Sequence, residues 1–178
     1  MVILYLAPFV YEEQLQRLTS KWQSLLSAYQ FVPRIVVAQP PYDTGEIDCR
    51  GYWLKPDGKT EERRIKQFRK HVSIVLVELL KEVNKYRPRV VLGEGQGGIV
   101  VAMSSFPLIV ERACRDKALS SQQMEQFRRA WSGVVSLIVA DPVFGNTSNN
   151  DQNAPFALMQ QAFPQVHWNH PRDRKSVV

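Results

Sequence analysis

The residues best placed to do chemistry in this chain sit in one turn. An apolar run, Val90-Val91-Leu92, meets Gly93-Glu94-Gly95-Gln96-Gly97-Gly98, and a helix-like segment follows. Two chemistries use such a turn between a strand and a helix. In one, glycines let the backbone approach a phosphate held at the helix N-terminus. In the other, a strained turn holds a nucleophile on its point, in the pattern G-x-nucleophile-x-G. Gly93-Glu94-Gly95-Gln96-Gly97 fits the second pattern, with Gly95 standing where the nucleophile belongs.

Spacing discriminates between the two. Gly93-x-Gly95-x-x-Gly98 also satisfies the dinucleotide pattern G-x-G-x-x-G. That pattern, however, opens the first strand–helix unit of its fold and is followed about 20 residues later by an acid for the ribose. Here it follows the third predicted strand, and the next predicted strand ends far later, at Asp141. A nucleotide- or phosphate-binding protein therefore stands as a rival reading, and the elbow is favoured.

The stretch "VVLGEGQGGIVVA" resembles the "GHSQGG" or "GYSQGG" elbow of the α/β-hydrolases, with Gln96 and Gly98 in their usual places. The small lid-less members, the cutinase and acetylxylan esterase group, are the nearest likeness. "LIVADPVFGN" is similar to their strand ending Gly-Asp-Pro, and "VILYLAPF" is similar to the first core strand, which leads to the oxyanion loop. The resemblance spans most of the chain in outline and is specific over about a dozen residues at the elbow. It implies a compact α/β-hydrolase-like fold of five strands, and an acid followed by a histidine. Asp141 and Asp151 are the candidate acids, His167 and His170 the candidate bases. It also implies a crevice lined by Phe9, Val10, Tyr42, Glu94, Gly95, Gln96 and Phe144.

Departures from that pattern set the functional expectation. Gly95 has no side chain to acylate. Ala7-Pro8 replaces the His-Gly of the oxyanion loop, and Pro8 has no N–H to donate. Gln96 still offers the backbone N–H that follows the nucleophile position. The expectation is a domain that has lost its catalytic serine and serves as a binding or structural module through its old crevice. Its partner would be a small molecule or a protein. The rival enzyme would hydrolyse esters or thioesters with Glu94 or Asp141 activating water. Glu94 is the one ionisable side chain in the turn, and a solvated elbow residue is the favoured reading over a base or a metal contact.

No other residue replaces the serine. Ser104 and Ser105 lie about three turns down the following helix and face away from the elbow. Cys114 is further on, and nothing marks Cys49 as activated. His167 and His170 are spaced i, i+3 without a Cys or acid in register, so no metal site or cofactor is expected. In "CRGYWLKPDGK", Tyr52 and Trp53 with their basic neighbours could stack bases or sugars. A hydrophobic plug folding the long loop onto the sheet is favoured.

These residues must be positioned by alternating strands and helices. "VILYLAP", "PRIVVAQPP", "RVVL" and "VVSLIVADPVF" read as strands, with "QVHW" a fifth. Leu15, Leu18, Trp22, Leu25, Leu26 and Tyr29 form one helical stripe over 12–29. Thr60 caps a long helix carrying Ile65, Phe68, Val72, Val75, Leu76, Leu79, Leu80 and Val83, which Arg87-Pro88 ends. A helix runs from the glycine turn to about Ser105, Pro107 opens another, Ser120 or Ser121 caps a third, and "FALMQQAF" is short and helical. Residues 42–62 read as loop. This order predicts a single domain over 1–178. Its fold class is α/β, a three-layer α/β/α sandwich with a mostly parallel sheet of about five strands. Ligands then bind outside the carboxyl ends of the strands.

Composition agrees with a packed domain. The chain has 178 residues, 44% of them hydrophobic, enough for one sizeable core. Its 23 basic and 17 acidic residues give a net charge of +6, spread out, so nucleic acid is only weakly favoured as a partner. Two cysteines without a CxxC pair suggest reduced thiols. No run approaches the roughly 18 apolar residues of a membrane span, and "MVILYLAPFV" lacks the basic start of a signal peptide. A cytoplasmic location is the expectation.

Overall fold

Strand β1, Val2–Leu6, is apolar at every position because both of its faces are buried. Alternate residues point to opposite sides: Leu4 and Leu6 enter one core cluster, Ile3 and Tyr5 another. A computed structural model describes residues 1–8, 10–43, 49–52, 57–140 and 155–164 of the chain.

β1 is flanked by β3, Arg34–Ala38, and by β6, Val90–Glu94; β7, Ser136–Ala140, lies outside β6. All three pairings are parallel, so the sheet order is β3-β1-β6-β7. The order reverses direction between β1 and β6. That is the switch point at which doubly wound sheets leave a crevice at their carboxyl edge. Ala7-Pro8 and Glu94-Gly95 leave the sheet there side by side.

Helix α1, Glu12–Ala28, lays Leu15, Leu18, Trp22 and Leu26 on the Tyr5 side of the sheet. Leu25 and Tyr29 do not join this stripe and are 47% and 78% exposed. Leu25 flanks the line that Trp22 and Leu26 define, and Tyr29 falls beyond the helix end, in a turn where Gln30 adopts φ 58°. On the other side lies α2, Glu61–Tyr86. The Thr60 hydroxyl accepts the Arg63 N–H at its start, and Arg87, left-handed at φ 48°, closes it before Pro88.

α2 is buried around more of its circumference than its apolar stripe suggests. His71, Ser73 and Val77 are covered as well. The sheet packs on one side of α2, and α4 (Pro107–Asp116), α5 (Ser121–Trp131) and α6 (Pro155–Ala162) pack on the others. Met159, Ala162 and Phe163 reach the main core, and Arg69 Nη2 donates to the Ala162 carbonyl at 2.8 Å. No single described helix is long and apolar enough to cross a membrane.

The segment 42–62, expected as loop, contains two short strands. β4, Tyr42–Asp43, and β5, Cys49–Gly51, pair antiparallel, and β5 also pairs with β2, Val10–Tyr11. These strands are two or three residues long, too short to show an alternating pattern among turn residues. The parallel sheet has four strands among the described residues, one fewer than expected. The expected fifth, at 165–168, lies outside them.

Candidate functional site

One residue connects β6 to α3, Gln96–Ser104. Gly95 has φ 55° and ψ −122°, a backbone conformation that residues with a side chain rarely adopt. Its N–H donates to the Ala140 carbonyl of β7 at 3.3 Å, and its carbonyl accepts from the Ile99 N–H at 3.3 Å. The turn is therefore tied to the neighbouring strand before it and to the helix after it. At Gly97, a Cβ would overlap the backbone carbonyls of Leu6 and Ala7, so α3 begins directly against the end of β1. This is the tight strand–turn–helix geometry the glycine spacing predicts.

The point of the turn is covered. A Cβ added to Gly95 would lie 2.7 Å from Pro8 Cβ and 3.2 Å from Pro8 Cα. The space into which a nucleophile would project is filled by a rigid ring just past the end of the neighbouring strand β1. The sequence shows that Pro8 lacks an N–H; its packing against Gly95 follows from the β1–β6 pairing.

Glu94 corrects the expectation of a solvated residue. Its side chain is only 14% exposed. Tyr5 Oη donates to Glu94 Oε2 at 2.9 Å, and Trp22 Nε1 donates to the same oxygen at 3.1 Å. The exposed Lys21 Nζ stands 3.9 Å from Oε1. The Tyr5 and Trp22 rings meet edge to face at 6.4 Å. Burial, reinforced by the hydrogen bond to Glu94, raises the Tyr5 phenol well above its ordinary value, so it remains a donor through neutral pH. A carboxylate accepting two donors on one oxygen is a tie between β1, α1 and β6. It is poorly arranged to take a proton from water with that oxygen.

Gln96 is held too. Its Oε1 accepts the Tyr52 N–H at 3.0 Å. Tyr52 is 3% exposed, its hydroxyl donates to the Ala38 carbonyl at 3.3 Å, and burial raises its phenol far above the usual range. Tyr52 is thus the plug that pins its loop onto the sheet edge. The backbone N–H of Gln96, first in α3, has no acceptor within the helix.

No family model, curated protein or solved structure matches this chain.

The remaining expected site residues divide by position. Asp141, Asp151, His167, His170, Phe9, Phe144 and Trp53 lie outside the described residues. Val10 is on β2, paired with Arg50. Tyr42 packs on the His71 ring of α2 at 4.6 Å, and its buried hydroxyl has no hydrogen-bond partner among the described residues. Burial pushes its phenol up to about 12. Ser104 and Ser105 cap the far end of α3, each donating to a carbonyl three residues back at 2.7 Å. Among the described residues no three His, Cys, Asp or Glu side chains gather as a metal set.

Tyr5 and Trp22 were not legible as parts of the site, and of Pro8 only the missing N–H was, not its packing on Gly95. Trp22 and Tyr5 read as core residues, and both are; only the strand order shows that their polar tips converge on Glu94.

Proposed function

We propose that this chain is an α/β-hydrolase-like domain in three layers that works without catalysis, as a binding or structural module. The carrying observation is Gly95 at φ 55°, ψ −122° on a one-residue strand-to-helix turn, with Pro8 packed over its point. The turn supports an elbow reading, and the covered point supports a loss that extends beyond one residue. The rival hydrolase loses support because Glu94 is engaged by Tyr5 and Trp22. The phosphate reading loses support because the carbonyls of Leu6 and Ala7 crowd the first turn of α3.

The test is a serine-directed fluorophosphonate probe together with variants assayed on a short acyl ester. The wild-type chain takes no label, and Gly95→Ser alone gains no activity because Pro8 occupies the side-chain space. Gly95→Ser with Pro8→Gly opens that space. Esterase activity in the double variant, lost again on changing Asp141, Asp151, His167 or His170, marks a hydrolase scaffold with surviving partners. Labelling or ester hydrolysis by the wild-type chain overturns the reading.

A further inference from the structure

A well-defined cavity lies away from the glycine turn. It is a cleft of about 460 Å³ between α2, α4 and α5, reaching the start of β7 at Leu137. Ser104 and Ser105 line it, and α3 separates them from the elbow by about 12 Å of helix. Its volume falls in the range of small-molecule sites.

Two features define what would fit. The wall is apolar, with Leu76, Leu80, Val110, Phe127 and Trp131 among its residues. Its serine hydroxyls are already committed: Ser104, Ser105 and Ser132 donate to the carbonyls of Val101, Ala102 and Arg129. Among the described residues, Arg128 and Glu111 are the charged side chains on the lining. Arg128 is weakly engaged. Its contact with Glu125 is 3.9 Å long, and that carboxylate is held at 3.0 Å by Arg129. Its positive charge also reaches inward, opposing the burial that raises the Cys114 thiol in the wall.

We propose that this cleft binds a single-chain amphiphile with one anionic head, of the medium-chain carboxylate class, with its tail against Leu80, Phe127 and Trp131 and its head on Arg128. Glu111, on α4, repels a second negative charge and so selects a monoanion. The site is independent of the elbow and of its reading.

Calorimetric titration of the whole chain with decanoate, below its micelle concentration, tests this. Decanoate binds, 1-decanol binds more weakly, and decyltrimethylammonium weakest. Arg128→Gln, an exposed position, weakens decanoate by roughly tenfold and leaves decanol unchanged. Glu111→Gln tightens decanoate by about twofold to fivefold. Val110→Trp fills the cleft and abolishes binding while the melting temperature holds or rises. No heat with decanoate overturns the proposal. So does binding that survives Val110→Trp, because it then occurs elsewhere. Equal affinity for decanol and decanoate, unmoved by Arg128→Gln, overturns the anionic head.

Discussion

Gly95 and Pro8 constrain each other. The turn requires a positive φ, and Pro8 leaves no room for a Cβ, so two independent penalties fall on any side chain at position 95. Gly95→Ala should lower unfolding stability by about 2–4 kcal/mol in urea titration. Pro8→Gly in the same chain should recover part of that loss, and a double-mutant cycle reads the coupling. At Glu94 the cost comes from polar groups left behind. Glu94→Ala strands the Tyr5 hydroxyl and the Trp22 N–H in a half-buried site, at about 1–3 kcal/mol by the same titration. Glu94→Gln keeps an acceptor and costs less. If Ala and Gln cost the same, Glu94 is not the acceptor that holds those donors. The residue types at 93–98 were legible because glycine has few other reasons to cluster after a strand. The partners of Glu94 were not, since nothing in a lone Tyr or Trp tells which carboxylate it will meet.

The helices follow local rules, and those rules were readable. Thr60 and Ser120 sit at the helix starts their chemistry suits, and Ser120 with Gln123 forms a reciprocal capping box. Ser120→Ala should destabilise by about 1 kcal/mol, seen as a lower midpoint in denaturant without a change of slope. Gly97→Ala is expected to be far more damaging, because the first turn of α3 is pressed against the carbonyl end of β1. The soluble folded yield of the two variants separates a local cap from a long-range contact. Helical periodicity located α2 but understated its burial. Its His71, Ser73 and Val77 are buried rather than solvated, His71 against Tyr42 and Ser73 donating to Asp116 of α4, and an apolar stripe counts only one face. The short strands β4 and β5 escaped notice because two or three residues carry no period.

Across the whole molecule, three buried phenols give a pH signature. Tyr5, Tyr42 and Tyr52 all have their phenols raised by burial above the ordinary value of 10.0, Tyr42 to about 12 and the other two further. An unfolded chain releases these protons from pH 10 upward, while the folded chain holds them. The contribution of these phenols is therefore fully present below pH 10 and is lost as pH rises above it. Tyr42 should ionise first, near pH 12, and the other two should yield only with unfolding. Ultraviolet titration of tyrosinate alongside circular dichroism checks the order. Tyr42→Phe should be close to neutral at pH 7, since no described partner is lost, and should release one proton fewer on alkaline unfolding.

The sequence alone determined the alternation of strands and helices, the parallel α/β class and the glycine turn between β6 and α3. Each depends on residues close together in the chain: periodicity, caps, prolines and a turn that only glycine fits. Tertiary structure decided the rest of the site. The Tyr5 and Trp22 contacts to Glu94 span 89 and 72 positions, and Pro8 reaches Gly95 only because β1 pairs with β6. The cleft among α2, α4 and α5 likewise exists only once three helices pack. Strand order and helix packing are set by the summed burial of many side chains, so no short stretch records which ends will meet.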